Sequence, residues 1–263
     1  MKILQPSVAG MFYPDDPKVL RELIQKMLAA ADANLPIPKA IIAPHAGYIY
    51  SGPTAAAVFA CLKNAKQQIK RVILLGPAHR YSLHGLAITD ADEFKTPLGS
   101  IAIDKAASKT ILSLSQVQVI NEAYTDENSL EVQLPFLQSV LDEFKLVPIL
   151  IGDANNDQIV EVLEKLWNGE ETLIVISSDL SHYLDYKAAK NIDAATIDAI
   201  LKLRPQDIAH EQACGRKAIN ALLTVAAKKA LKPKLIDACS SGDTAGDKSA
   251  VVGYAGFHFC AED

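Results

Sequence analysis

The chain contains an unbroken apolar run that ends in a turn and a histidine: Arg71-Val72-Ile73-Leu74-Leu75-Gly76-Pro77-Ala78-His79. Apolar residues that follow one another without polar alternation are typical of a strand covered on both faces. Gly76 and Pro77 favour a tight turn after the strand, and this turn would fix the direction of the His79 side chain. The stretch therefore predicts a buried strand that delivers His79 to one edge of a sheet.

Further strands are expected along the chain, and segments with helical spacing separate them. Residues 40–43, 145–152 and 172–177 are apolar runs of the same kind, and a late strand is expected at residues 250–259. Two short strands are expected between residues 86 and 104, joined by a turn at Thr96-Pro97-Leu98-Gly99. The predicted helices cover residues 54–63, 128–141, 157–167, 188–203 and 215–229.

The alternation of strands and helices predicts the fold class. It favours an α/β fold with a mixed, mostly parallel central sheet flanked by helices. The sequence shows no internal repeat and no linker, so we expect one domain over residues 1–263. Pro135 lies inside one predicted helix, where it predicts a kink or a late start.

Composition argues against several classes of partner. The net charge is -5 and no dense Lys/Arg run occurs, which is unlike a nucleic-acid-binding protein. No apolar run reaches the roughly 18–20 residues of a membrane span, and the apolar part of the N-terminus is short for a secretory signal. Four cysteines without a CxxC pair fit reduced thiols, so we expect a cytoplasmic protein.

Polar residues follow four of the predicted strands at the point where each ends. His45, His79 and His182 follow three of them, and a glycine-containing loop with Asp243 follows the strand around residues 235–237. Ligands of open α/β sheets bind at the carboxyl ends of the strands, where such residues converge. Two histidines and one carboxylate are the set that non-haem Fe(II) favours. We therefore expect one divalent metal ion at His45, His79 and Asp243, with Fe(II) favoured and zinc or copper as alternatives.

Other residues are assigned to the surroundings of this centre. His182 is expected to transfer protons and Asp179 to orient it, while Cys239 is expected beside the metal ligands. Tyr48, Lys248 and Glu131 are candidates for binding substrate. Ordinary structural roles remain open as alternatives, since Asp243 suits an Asx turn and Glu131 suits a capping box with Asn128. We expect the remaining histidines, His84, His210 and His258, to lie outside the site.

Six segments resemble the Memo family, in that family's order and over nearly the whole chain. This resemblance implies a fold like that of the class III extradiol ring-cleaving dioxygenases, whose iron is held by two histidines and one carboxylate. It implies that His45 and His79 are metal ligands and that His182 is the acid/base. The third ligand would fall in the segment ending at Asp243, where the animal Memo protein is expected to have cysteine. The segments are residues 6–14 (PSVAGMFYP), 43–48 (APHAGY), 75–79 (LGPAH), 129–135 (SLEVQLP), 177–182 (SSDLSH) and 252–256 (VGYAG).

The resemblance leaves the reaction open. A metal-dependent oxidoreductase similar to the dioxygenases is the first hypothesis, with an unknown small molecule or peptide as the ligand. A zinc hydrolase that uses His182 or Glu131 as the base is the second. A non-enzymatic binding or signalling module that keeps the pocket is the third. In prokaryotes the family is similar to one part of a three-part system with a radical-SAM protein, which implies a functional link to such a partner.

Overall fold

A computed structural model of the chain describes residues 1–32 and 35–261. The described residues form twelve strands. They are β1 (Ile3–Leu4), β2 (Ala40–Ala43), β3 (Arg71–Pro77), β4 (Leu86–Ile88), β5 (Glu93–Thr96), β6 (Gly99–Ala102), β7 (Val117–Val119), β8 (Lys145–Ile151), β9 (Thr172–Ser177), β10 (His182–Leu184), β11 (Leu231–Ser240) and β12 (Val251–Ala261).

Nine α-helices lie between these strands in the described parts of the chain. None of them is both long enough and apolar enough to cross a membrane. They are α1 (Pro17–Ala29), α2 (Tyr48–Ala60), α3 (Lys105–Ile111), α4 (Asn128–Glu131), α5 (Leu134–Val140), α6 (Asn156–Leu166), α7 (Tyr186–Leu201), α8 (Arg216–Lys228) and α9 (Ser241–Thr244).

The main sheet has the strand order β10-β12-β2-β9-β3-β8-β4-β7, with β11 paired to β12. Its four central strands β2, β9, β3 and β8 are parallel to one another. Antiparallel pairings join β12 to β2 on one side and β4 to β8 on the other. The mixed α/β architecture with a parallel centre is therefore confirmed.

Both faces of the central strands are buried, which explains their unbroken apolar sequences. Along β3, Val72 and Leu74 enter one apolar layer, while Ile73 and Leu75 enter the other. The first layer packs against α1, α2 and α5, and the second against α6, α7 and α8. Because the strand bodies are covered, polar side chains are left at the strand ends.

The register of the parallel strands brings their carboxyl ends to one edge. Ala43, the last residue of β2, pairs with Ser177, the last residue of β9. Leu75 of β3 pairs with Ile176 of β9. The residues that directly follow β2, β3 and β9 are therefore neighbours in space.

Several predicted elements differ from the observed ones. Two short strands were expected between residues 86 and 104, and three are present. β4 joins the main sheet, while β5 and β6 form a hairpin in a separate sheet with β1. The predicted helix over residues 128–141 is divided into α4 and α5, and Pro135 lies in the first turn of α5. A proline is tolerated there because the first turn has no intrahelical partner for its missing N–H.

Candidate metal centre

His45 and His79 lie beside each other, as their positions after β2 and β3 predict. Their ring centroids are 5.2 Å apart and the ring planes make an angle of 76°. The Sγ atom of Cys214, which lies just before α8, is 3.2 Å from Nε2 of His45. One donor atom from each of the three residues lies within 4.8 Å of the others. Within residues 1–32 and 35–261, this is the group of three or more such side chains that could hold a metal ion.

Asp243, which the sequence predicts as the third ligand, lies outside the group formed by His45, His79 and Cys214. Its carboxylate accepts hydrogen bonds from Tyr186 Oη at 2.6 Å, Lys190 Nζ at 2.8 Å and Ser240 N at 2.8 Å. Partial burial opposes ionisation, but these donors outweigh it and hold the pKa of Asp243 well below its usual range. The polar loop after β11 forms α9, and the carboxylate turns back onto the start of that short helix.

Cys214 is the residue that the sequence prediction missed. It follows no strand, and its only local signal is its place before Gly215, at the start of a predicted helix. Gly215 N donates a hydrogen bond to Ser178 Oγ at 2.9 Å, which ties the start of α8 to the end of β9. A Cβ atom on Gly215 would lie 2.6 Å from Cβ of Ser178, so the close approach that positions Cys214 requires glycine.

The hydrogen bonds of Ser177 define the tautomer of His45. Ser177 Oγ donates its proton to the carbonyl of Ser129 and accepts one from Gln133 Nε2 at 2.7 Å. Its third contact, with His45 Nδ1 at 2.9 Å, must therefore be one in which the imidazole donates. The proton of His45 lies on Nδ1, and the Nε2 lone pair faces Cys214.

Glu127 has the same role for His79. One carboxylate oxygen lies 2.9 Å from His79 Nδ1, and the other accepts from His79 N. Burial disfavours the carboxylate, but the hydrogen bonds from His79 and from Ser129 N outweigh it and lower the pKa of Glu127 to about 2. An ionised Glu127 keeps a proton on His79 Nδ1 and leaves Nε2 as the donor atom, an arrangement common among metal-binding histidines.

Burial sets the protonation of the other two donors. It lowers the pKa of His45 to about 3, so the ring is neutral and can bind a metal. It raises the pKa of Cys214 to about 12, so the metal-free thiol is protonated. A bound ion would displace that proton and add a thiolate to two imidazoles. Two imidazoles and one thiolate suit zinc or copper. Two imidazoles and one carboxylate, the set expected from the sequence, favour Fe(II).

Two cavities border the candidate centre. The larger, about 610 Å³, is lined by His45 and His79 and extends to His182. The smaller, about 330 Å³, is lined by His79 and Cys214. The three donor atoms therefore lie between two spaces that can hold ligands.

His182 and Asp179 both line the larger cavity, as their placement after β9 predicts. The Asp179 carboxylate accepts from His45 N at 2.7 Å, and burial raises its pKa. Asp179 thus holds the backbone of His45, whereas the sequence assigned it to orienting His182. Tyr183, which follows His182, has a φ of 58° and an exposed side chain whose ring lies 5.8 Å from that of His182.

Tyr48 and Glu131, expected to bind substrate, line neither of the two cavities. Tyr48 is buried and donates from its hydroxyl to the carbonyl of Val132 at 2.7 Å. Glu131 is buried and accepts from Ser7 N at 2.6 Å and from Tyr13 Oη at 2.6 Å. Its partners belong to the N-terminal segment, so Glu131 anchors that segment and forms no capping box.

Lys248 and Cys239 also have partners outside the metal-binding group. Lys248 Nζ lies 4.4 Å from the ring centroid of Tyr186. Cys239 Sγ lies 3.2 Å from Thr54 Oγ1. Neither residue lines either of the two cavities beside the candidate centre.

Comparison with known proteins identifies the family. Residues 5–258 match the sequence model described as Memo-like protein. The chain belongs to the Memo family. A MEMO1 family protein of Aquifex aeolicus is 35% identical over 272 residues, which cover 98% of this chain and 100% of that protein. A MEMO1 family protein of Archaeoglobus fulgidus is 35% identical over 270 residues, covering 97% and 98%.

A solved structure also resembles the fold. The crystal structure of an uncharacterized protein from Escherichia coli K12 aligns with a TM-score of 0.50 at 13% sequence identity, over 98% of each chain. At this identity the likeness concerns the α/β fold alone. The expected membership of the Memo family is confirmed, and the relation to the dioxygenases stays a prediction.

Proposed function

We propose that this Memo family chain is a metal-dependent oxidoreductase that acts on a small molecule held in the larger cavity. The observation that carries the proposal is the group of donor atoms from His45, His79 and Cys214, which lie within 4.8 Å of one another. A redox-active ion held there, such as copper, would supply electron transfer to a ligand in an open position. A thiolate ligand favours copper over Fe(II). With Cys214 in place of Asp243 as the third ligand, the proposed metal is therefore copper and no longer the Fe(II) favoured from the sequence.

The protein's own groups prepare the centre for this chemistry. Ser177 and Glu127 accept hydrogen bonds from Nδ1 of the two histidines, so both Nε2 atoms are available to bind a metal. His182 lines the cavity in which the substrate would lie, and its ring can accept or give a proton there. The buried setting of His45 excludes bulk water from one side of the donor group.

A zinc-dependent hydrolase is the second candidate function. It is favoured by the number of protein donors, because three ligands and an open fourth position are typical of catalytic zinc sites. In that case His182 would take the proton of the attacking water. Glu131, the other base considered from the sequence, is held by Tyr13 and the N-terminal segment away from the cavities.

Metal titration of the metal-free protein tests the proposal. We expect one equivalent of Cu(I) or zinc to bind, and Cys214→Ala to weaken binding by at least about tenfold. Asp243→Asn is the matched control, since that carboxylate has other partners, and it should bind like the parent protein. Loss of binding in Asp243→Asn with retention in Cys214→Ala would contradict the assignment.

Activity measurements with the loaded protein separate the two functions. Oxygen consumption or substrate oxidation by the copper form, with no turnover by the zinc form, supports the oxidoreductase. Hydrolysis of model esters by the zinc form alone supports the hydrolase and overturns the first candidate.

A further inference from the structure

The smaller cavity has a lining of one charge sign. It contains the cationic side chains of Arg216 and Lys217 together with His79 and His210, and its lining includes no aspartate or glutamate. The larger cavity differs, because Asp179 and Asp247 accompany its single arginine. His210, which the sequence placed outside the site, therefore belongs to the surroundings of the candidate centre.

Arg216 lines this cavity, and its side chain has no partner among residues 1–32 and 35–261. Lys217 Nζ donates to the carbonyl of Gly152 at 2.9 Å and lies 3.1 Å from the Asp153 carboxylate. The guanidinium of Arg216 has no hydrogen bond or ion pair with any of the residues that the structure describes. It is partly buried at the first position of α8. A planar guanidinium with free donors matches a carboxylate or phosphate in two parallel hydrogen bonds.

The smaller cavity lies beside the candidate metal-binding group. Cys214 precedes Arg216 by two positions, and both residues line the same cavity. His79 lines this cavity and the larger one, so an ion held by the donor group would lie between them. A volume of about 330 Å³ is at the small end of ligand sites, which suits a small molecule.

We propose that the smaller cavity binds an oxoanion, the carboxylate or phosphate group of a small substrate or co-reactant, through Arg216 on the Cys214 side of the metal centre. The location beside a metal rests on the proposed function, whereas anion binding by Arg216 does not. The proposal assigns different ligands to the two cavities: an anionic group in the smaller and the remaining reactant in the larger.

Anion titrations of wild-type protein and two arginine variants test this assignment. Inorganic phosphate and acetate are titrated separately at constant ionic strength, and binding is measured by calorimetry on the metal-free protein. We expect Arg216→Gln to weaken binding by at least about tenfold, because it removes the charge-assisted hydrogen bonds. Arg216→Lys should lose less, since it keeps the charge but not the two-pronged geometry.

Arg80→Gln is the matched control, because Arg80 lines the larger cavity on the other side of the same donor group. It should bind both anions like the parent protein. Preference for phosphate over acetate, or the reverse, identifies which oxoanion the site selects. An equal loss in Arg80→Gln and Arg216→Gln, or no loss in the properly folded Arg216→Gln protein, would overturn the proposal.

Cobalt(II) separates this proposal from the metal centre. A thiolate-to-cobalt absorption band in wild-type protein reports metal binding at Cys214, and its shift on adding the anion reports proximity. Absence of the band contradicts the proposed metal centre, while the calorimetric comparison still decides the anion site. A band that the bound anion leaves unchanged overturns the assignment of the anion to the Cys214 side.

Discussion

Ser177 and Glu127 each accept the Nδ1 proton of a histidine in the candidate centre, and this defines which ring nitrogen is left for a metal. Partners of this kind contribute to metal affinity although they do not touch the ion. Because Ser177 is the last residue of β9, the same strand end that brings the site together also orients His45. The sequence shows both residues, but their partners are apparent only in the fold.

Replacing Ser177 by alanine should weaken metal binding without unfolding the protein. The variant loses the acceptor of His45 Nδ1, so the ring can rotate or change tautomer, and we expect affinity to fall by roughly 10–100-fold. Competitive titration with a chelator measures the change. Ser139→Ala removes a hydroxyl that bonds only to a helix carbonyl, Pro135 O, and should leave affinity unchanged. Equal affinities in the two variants would contradict the role given to Ser177.

Asp243→Asn should lower stability at neutral pH and leave metal binding intact. The folded-state pKa of Asp243 is held below its unfolded value of about 3.9, so the charged carboxylate stabilises the protein above that pH. The stabilisation is lost as pH falls through the lower, folded-state pKa. Urea unfolding should therefore show a difference between parent and variant at pH 7 that persists to about pH 4 and then shrinks. If the difference in unfolding free energy between parent and variant grew as the pH fell, the stabilising role given to the Asp243 carboxylate would be contradicted.

Some residues of the candidate site follow from their position in the sequence, and others do not. His45 and His79 could be predicted because each directly follows a buried parallel strand. Cys214 could not, because it precedes a helix whose approach to β9 depends on the close contact between Gly215 and Ser178. Asp243 lies in a polar loop after a strand, and the spacing Ser240-Ser241-Gly242-Asp243 is that of a capping box, whose acidic side chain turns back to the backbone of Ser240.

At the scale of single elements, α8 ends in a strained conformation. Ala230, just beyond its C-terminal residues, has a φ of 53°, the left-handed region in which a Cβ atom is unfavourable. We expect Ala230→Gly to raise the free energy of unfolding by about 0.5–1 kcal/mol. Ala227→Gly, the same substitution inside the exposed part of the helix, should lower it by about 1 kcal/mol. Chemical denaturation of both variants measures the change in the free energy of unfolding. A change in the same direction for both variants would contradict the interpretation.

The elements also differ in how well their sequences define them. The centre of the sheet was predictable because unbroken apolar runs leave few alternatives to a strand covered on both faces. The helix over residues 128–141 was not predicted as two helices, although Pro135 indicated a late start. The break places Glu127 at the first helix as its N-cap, where it accepts from Ser129 N and also holds His79.

In the whole molecule, the candidate metal centre joins segments from distant parts of the chain. His45 and His79 follow central strands, while Cys214 lies just before α8 in the C-terminal third of the sequence. The α/β alternation predicts the sheet and its helices, but the edges depend on long-range pairing. The antiparallel β11–β12 pair, with its register shift between Leu235 and Asp237, could not be inferred from local pattern.

Metal binding should therefore stabilise the whole fold. A ligand that binds only the native state adds about 2.7 kcal/mol at a free concentration one hundred times its dissociation constant. We expect zinc or copper to raise the melting temperature of wild-type protein more than that of Cys214→Ala at the same concentration. Thermal scans with and without a chelator measure this difference. Equal stabilisation of both proteins would place the metal elsewhere.

X-ray absorption at the zinc edge of protein loaded with one equivalent of zinc tests the donor set most directly. The structure predicts one sulfur neighbour at about 2.3 Å and two imidazole nitrogens at about 2.0–2.1 Å. The sulfur contribution should vanish in Cys214→Ala and persist in Asp243→Asn. A wild-type spectrum with imidazole and carboxylate oxygen neighbours but no sulfur would contradict the assignment of Cys214 as the third ligand.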